Sequence, residues 1–115
     1  MGLYIDNTLN KGRGVFTDSS IKKNTLIEIS PCIKIEHSQI KNTILNDYCF
    51  GSKTKDYTLI CFGYASMYNH SNEPNISVVN YDEEKIMITF KSIRDIEKGE
   101  ELCHDYGYKK ENWIW

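Results

Sequence analysis

A polar stretch in the middle of the chain constrains the fold more than any other feature. It reads Asn-His-Ser-Asn-Glu-Pro-Asn over residues 69–75, and a second polar loop, Asp105-Tyr106-Gly107, lies near the C-terminus. The segments around both loops are short and rich in β-branched and aromatic residues, a composition typical of strands. We therefore expect the rest of the chain to be a scaffold that brings these two loops together.

Length and composition indicate one soluble domain over residues 1–115. The chain has 115 residues, of which 40% are hydrophobic and 26% are charged, and this size suffices for a single core. No apolar run is long enough to span a bilayer, and no secretory signal precedes the first strand. We expect an intracellular protein that is neither secreted nor bound to a membrane.

The charge pattern argues against direct nucleic-acid binding, because the net charge is −2 and phosphate recognition needs a basic surface. Residues 1–60 carry 8 basic and 6 acidic side chains, whereas residues 61–115 carry 6 and 10. The acidic half holds both polar loops. It suits a basic partner, although an imbalance of this size is more often ordinary solvated surface.

Cysteine and histidine spacing predicts no metal site. Cys32, Cys49, Cys61 and Cys103 are far apart and never form the C-x-x-C pairs of structural zinc sites. We interpret them as reduced, mostly buried thiols. The three histidines are not at ligand spacing from one another.

Many short strands with one or two helices predict a mainly β, α+β domain. The expected strands cover residues 3–5, 26–29, 32–36, 76–79 and 85–90, with a last one opening at 100–102. Ser30-Pro31 should separate the second and third strands, and Ser38 should cap a helix over residues 39–46. The aromatic-rich segment from Tyr48 to Tyr64 is expected to pack in the core.

Single motifs in the chain remain ambiguous. The run Lys11-Gly12-Arg13-Gly14-Val15-Phe16 lacks the third glycine of a dinucleotide fingerprint and the ending of a phosphate loop, so a hairpin turn is its simplest interpretation. An Asn-His pair alone is more often a hydrogen-bonded turn than a ligand site, and a Tyr beside a Gly is more often core.

In order along the chain, however, the motifs closely resemble the SET domain family of protein-lysine methyltransferases, which use S-adenosylmethionine. The resemblance rests on Lys11 to Phe16, on Gly63-Tyr64-Ala65 leading to Asn69-His70-Ser71-x-x-Pro74-Asn75, and on Arg94-Asp95-Ile96-x-x-Gly99-Glu100-Glu101-Leu102-x-x-Asp105-Tyr106-Gly107. It implies a β-clip-like fold of several small sheets, with a C-terminal pseudoknot near the Asn-His motif. The chain most resembles minimal, viral-like stand-alone SET domains, because the cysteine-rich zinc flanks of larger relatives are absent.

The resemblance also implies roles for individual residues. Tyr106 matches the catalytic tyrosine, and Tyr48, His104 and Tyr106 are expected to line the channel for the substrate lysine. His104 replaces the Phe or Tyr of relatives; it is either a partly exposed strand residue or a pocket residue whose protonation makes turnover pH-dependent. The expected cofactor contacts are Lys11, Gly12, Arg13, Gly14, Asn69, His70 and Trp113. Trp113 is equally well explained as a chain end packed on the core.

The function implied by the resemblance is methyl transfer from S-adenosylmethionine to the ε-amine of a lysine in a protein, with a histone or other basic tail as the expected substrate. The alternative is a catalytically inactive SET-like module that binds a peptide or protein, because fold does not guarantee chemistry. A plain structural β-domain would leave the ordered motifs unexplained. A homodimer would bury apolar surface of so small a domain, and the expected location is the cytoplasm or nucleus of the host cell.

Overall fold

The computed structural model describes residues 2–50 and 56–106. Most of the regular structure in these ranges is strand, with short 3-10 helices between strands. The strands are β1 (Leu3–Asn7), β2 (Arg13–Thr17), β3 (Leu26–Glu36), β4 (Tyr57–Cys61), β5 (Asn69–His70), β6 (Ile76–Asp82), β7 (Met87–Ser92) and β8 (Glu101–His104). The 3-10 helices cover His37–Gln39, Ile44–Asp47 and Ala65–Met67. The predicted mainly β fold is confirmed.

The first sheet has the order β1-β2-β8-β5. Strands β1 and β2 form an antiparallel hairpin that pairs Leu3 with Thr17 and Asn7 with Arg13. The connecting turn is closed by the Thr8 N–H, which donates to the Gly12 carbonyl at 2.7 Å. Gly12 has a φ of 72°, a conformation that glycine adopts without steric cost. The two-glycine motif thus forms the predicted hairpin turn.

The second sheet has the order β4-β3-β7-β6, and it corrects one prediction. Ser30-Pro31 does not divide two strands, because β3 runs unbroken from Leu26 to Glu36. Its first part pairs with β7 as far as Pro31, and its second part pairs with β4 from Cys32 onward. Pro31 lies where the strand changes partner, and its carbonyl accepts from the Phe62 N–H at 3.0 Å. The missing N–H of proline is therefore tolerated inside a long strand.

The predicted helix over residues 39–46 is wrong. Two separate 3-10 helices occupy this segment, and Thr43 rather than Ser38 caps the second by accepting from the Leu45 N–H. Ile40 is buried whereas Ile44 and Leu45 are exposed. With only one buried apolar side chain, the segment has no continuous apolar face to hold an α-helix against the core.

The core combines side chains from strands of both sheets with side chains from the segments that connect them. Its members are Val15, Ile21, Ile27, Cys32, Leu59, Cys61, Ala65, Tyr68, Ile76, Ile88, Phe90, Ile96 and Leu102. The aromatic-rich segment contributes less than predicted, since Tyr48, Tyr57 and Phe62 are exposed. All four cysteines are free thiols, and three of them are buried.

Strand β8 is the element that unites the two polar loops. It pairs antiparallel with β2 on one side and parallel with the short strand β5 on the other. The pairing of β8 with β5 brings the C-terminal part of the described chain beside the Asn-His motif, where the resemblance predicts the pseudoknot. Among the residues that the structure describes, no helix has the length and apolar character needed to cross a membrane.

Candidate active site

The parallel pairing of β5 with β8 creates the site. Asn69 lies opposite Cys103, and His70 lies opposite His104. Asn75 fastens the loop between β5 and β6 to β8: its side-chain oxygen accepts from the Cys103 N–H at 2.8 Å, and its amide nitrogen donates to the Glu101 carbonyl at 2.7 Å. Only 2% of Asn75 is exposed. This buried amide holds both polar loops in one place, as the resemblance implied.

Asn69 joins β5 to the hairpin that carries the two glycines. Its amide nitrogen donates to the Arg13 carbonyl at 3.0 Å and to Oε2 of Glu101 at 2.8 Å. Gly14 is buried beside this contact. A Cβ at position 14 would clash with Glu101 Oε2 and would lie 3.0 Å from the Asn69 amide nitrogen. A side chain at position 14 would therefore displace the Glu101 carboxylate from its contact with Asn69.

Lys11 adds a positive charge to the same corner. Its Nζ lies 3.4 Å from Oε1 of Glu101 and 3.8 Å from the Cys103 Sγ. Burial raises the pKa of the Cys103 thiol to about 11, so the thiol is neutral at physiological pH. Of these two neighbours, only the Glu101 carboxylate therefore provides Lys11 with a negative charge.

His70 and Tyr106 are in contact on the other side of the β5–β8 pair. The Tyr106 N–H donates to His70 Nδ1 at 2.9 Å, and His70 Nε2 lies 3.0 Å from Asn72 Oδ1. A nitrogen that accepts carries no proton, so the ring is the tautomer protonated at Nε2. Asp105 Oδ1 lies 3.8 Å from Nδ1. His70 thus positions the backbone of the second polar loop.

The Tyr106 hydroxyl donates a short hydrogen bond to the Tyr68 carbonyl. Tyr68 is in turn fixed by Glu28, whose Oε1 accepts from the Tyr68 hydroxyl at 2.7 Å and whose Oε2 accepts from the Tyr64 N–H at 2.8 Å. Burial, together with the Glu28 charge, raises the pKa of the Tyr68 hydroxyl, which therefore stays protonated and keeps donating. Glu28 thus holds the segment that orients Tyr106.

His104 is buried, with 4% of its surface exposed, so the expectation of a partly exposed strand residue is wrong. Its ring stacks on Phe50 with centroids 5.7 Å apart and lies 4.9 Å from the Tyr106 ring. Burial lowers the pKa of His104 to about 4, against the opposing effect of a backbone hydrogen bond with Asp105. The ring is therefore neutral near pH 7, which removes His104 as a source of pH-dependent turnover in the neutral range.

A cavity of about 260 Å³ opens beside His104 and Tyr106. Its described lining combines apolar and polar side chains and comprises Phe50, Pro74, Ile76, Ser77, Val78, His104, Asp105 and Tyr106. His104 and Tyr106, two of the three expected channel residues, belong to this lining. Tyr48 is not in this lining and is 37% exposed, whereas Phe50 is in contact with His104. Trp113, the expected lid, lies outside the described residues.

Sequence reasoning missed Glu101, Tyr68 and Phe50 as site residues. Glu101 belongs to a run of two acids, and nothing in the sequence distinguishes the carboxylate that faces Asn69 from its neighbour. Tyr68 acts partly through its backbone carbonyl, which leaves no trace in residue type. Phe50 belongs to an aromatic-rich segment, and its residue type does not distinguish it from Tyr48, which is exposed.

No three His, Cys, Asp or Glu side chains in the described ranges lie close enough together to share a metal ion. The open cavity with the Tyr106 hydroxyl at its wall lies close to the polar corner built from Asn69, Lys11 and Glu101, because β5 pairs with β8. The family model described as "SET domain" matches residues 12–107. The chain belongs to the SET domain family.

Individual relatives agree with this membership. The chain is 36% identical over 110 residues to a Schizosaccharomyces pombe protein named histone-lysine N-methyltransferase, H3 lysine-37 specific, covering 91% of this chain and 73% of that protein. A crystal structure of a Plasmodium falciparum protein assigned as a histone methyltransferase superposes with a TM-score of 0.76 at 33% identity, covering 93% of this chain and 94% of the other. Protein-lysine methylation is the activity that the family and these relatives support.

Proposed function

We propose that this chain transfers the methyl group of S-adenosylmethionine to the ε-amine of a lysine in a histone tail or another basic protein segment. The observation that carries the proposal is the parallel pairing of β5 with β8, which places the Asn69 corner and the Tyr106 cavity on neighbouring residues of the same two strands. Two bound molecules could therefore meet at this strand pair.

The residues of the Asn69 corner fit the amino-acid end of S-adenosylmethionine, which carries one ammonium and one carboxylate group. Lys11, Glu101 and the Asn69 amide offer charges and hydrogen bonds of both kinds within one cluster. Gly12 and Gly14 keep the hairpin backbone free of side chains and permit close approach of a ligand. The bound cofactor would supply an electrophilic methyl group, and the protein binds and orients it.

The cavity beside Tyr106 fits the substrate lysine. An amine must be neutral to attack a methyl group, yet with an ordinary pKa only about one lysine in 2,500 is neutral at pH 7. The apolar side chains of Phe50, Ile76 and Val78 and the uncharged ring of His104 disfavour the ammonium form. Because the Tyr106 hydroxyl already donates to the Tyr68 carbonyl, it can only accept from the amine. Tyr106 therefore orients the amine.

Charge at the mouth of the cavity supports a basic substrate segment. Asp105 belongs to the lining and is exposed, and its negative charge would lie near basic residues on either side of the target lysine. A histone tail has this character, and a histone substrate would place the chain in the nucleus or cytoplasm. The homodimer remains a prediction.

Calorimetric titration with S-adenosylmethionine tests the cofactor site, with Asn69→Ala as the variant expected to lose binding. Methyl transfer to basic peptides, followed by mass spectrometry, then tests the reaction. We expect Tyr106→Phe to lower turnover by about tenfold or more, because the amine loses the acceptor that orients it. Full turnover in folded Tyr106→Phe would remove this residue from the mechanism.

A matched variant tests which aromatic residue lines the channel. Tyr48→Phe removes the same hydroxyl group at the position that the resemblance implied, and we expect turnover within about twofold of the unaltered protein. Phe50→Ala should impair turnover, because it removes the ring against which His104 stacks and so widens the cavity. The reverse pattern would return Tyr48 to the channel.

A further inference from the structure

The site contains two asparagines that are both held by an acidic residue, and only one of them has all its hydrogen-bonding groups engaged. Asn75 donates to Glu100 Oε2 at 2.9 Å and to the Glu101 carbonyl, and its oxygen accepts from the Cys103 N–H. Asn69 donates to the Arg13 carbonyl and to Glu101 Oε2. Its oxygen has no hydrogen-bond partner among the described residues.

This difference determines whether Asn69 donates a hydrogen bond to a ligand or accepts one from it. A primary amide has two N–H donors and one carbonyl acceptor, and both Asn69 donors are engaged by acceptors within the protein. The side chain cannot be turned over without directing its oxygen at the Glu101 carboxylate. Asn69 can therefore only accept from a ligand, and the nearby negative charge of Glu101 favours a cationic donor.

We propose that Glu101 is a positioning residue that makes the Asn69 corner selective for the α-ammonium group of the cofactor. The inference rests on the proposed function, since it assigns one end of S-adenosylmethionine to this corner. Glu101 orients the Asn69 amide and supplies negative charge beside it, while Gly14 leaves room for the Glu101 carboxylate. Lys11, which lies 3.4 Å from Glu101 and is partly exposed, is the neighbouring cation available to the ligand's carboxylate.

Two ligands that differ only at the amine test this selectivity. One is S-adenosylhomocysteine, and the other is its deaminated analogue, which keeps the carboxylate. The dissociation constants of both ligands are measured by calorimetry for the unaltered protein, for the Glu101→Gln variant and for the Glu100→Gln variant. The last variant is the matched control, because it neutralises the adjacent carboxylate, which contacts Asn75 and Arg94 instead.

We expect Glu101→Gln to weaken the binding of S-adenosylhomocysteine by about tenfold or more, the effect of losing a charge-assisted contact. Its affinity for the deaminated analogue should change by less than about twofold. Glu100→Gln should leave the ratio of the two affinities unchanged. Thermal unfolding of each variant shows whether it is folded.

Gly14→Ala provides an independent variant, because the added methyl group would push the Glu101 carboxylate away from Asn69 without removing its charge. It should also reduce the preference for the amine. Equal weakening of both ligands by Glu101→Gln, or no weakening of either, would overturn the assignment of Glu101. If the unaltered protein bound neither ligand, the proposed function itself would fail first.

Discussion

His104 should make the stability of this protein depend on pH below neutrality. The ring is buried beneath Phe50, Tyr68 and Phe90, and this burial lowers its pKa from 6.5 to about 4. At pH values between these two pKa values, His104 is therefore protonated in the unfolded chain and neutral in the folded one. Stability is thus full above the unfolded pKa and is lost as the pH falls toward the folded one.

The magnitude follows from the two pKa values. A shift of this size corresponds to about 3 kcal/mol in total, of which about 2 kcal/mol should be lost between pH 7 and pH 4.5. His104→Phe keeps an aromatic ring of similar volume and carries no titrating group. At pH 7 its free energy of unfolding should lie within about 1.5 kcal/mol of the unaltered value.

Urea unfolding followed by far-ultraviolet circular dichroism measures this directly. The free energy of unfolding is determined for both proteins at several values between pH 7 and pH 4.5, and their difference is plotted against pH. Carboxylates such as Glu100 titrate in both proteins and cancel in the difference. If the two curves fell in parallel, the loss of stability would not come from His104, and the reasoning from burial would be refuted.

Three further substitutions test the scaffold of the site. Asn75→Ala removes the buried amide that accepts from the Cys103 N–H, and the groups it leaves unpaired should lower the free energy of unfolding by roughly 3 kcal/mol in the same urea assay. Gly99→Ala, at a φ of 85° with no atom near the new methyl group, should cost about 1 kcal/mol from backbone strain alone and leave methyl transfer unchanged; lost activity would contradict this. Glu28→Gln places an amide N–H against one of the two groups that donate to Glu28, the Tyr64 N–H or the Tyr68 hydroxyl. The variant should therefore unfold at a lower temperature. Its turnover should also fall, because Tyr68 no longer holds Tyr106 firmly. Unchanged turnover would separate Glu28 from the site.

The hydrophobic alternation and turn residues were sufficient to predict most strands. The β6–β7 hairpin and the glycine turn before β2 depend on local preferences, so their positions can be read from neighbouring residues. The failures lie where tertiary contacts override local signals. Pro31 is accommodated inside β3 because the strand changes partner there, and the segment after Glu36 lacks a surface that would stabilise an α-helix.

For the site, the ordered motifs predicted residues that the structure brings together, and their functional roles stay predictions. Asn69, Tyr106 and the glycines were identifiable because their side chains, or the absence of one, are needed in a particular pattern. The sequence could not show that Glu101 rather than Glu100 faces Asn69, since adjacent strand residues differ only in the side of the sheet to which they point. Tyr48 was expected in the substrate channel, and the structure shows that Phe50 rather than Tyr48 lines the cavity beside Tyr106.

By itself, the sequence determined the family, the mainly β composition and the two polar loops, because these depend on residue types at fixed spacing. Only the tertiary structure decided that His104 is buried and neutral and that both donors of Asn69 are occupied. These properties arise from groups far apart in the chain, brought together by the pairing of β5 with β8. Burial and hydrogen-bond partners are properties of that arrangement, and they set the charge and polarity with which the site meets its ligands.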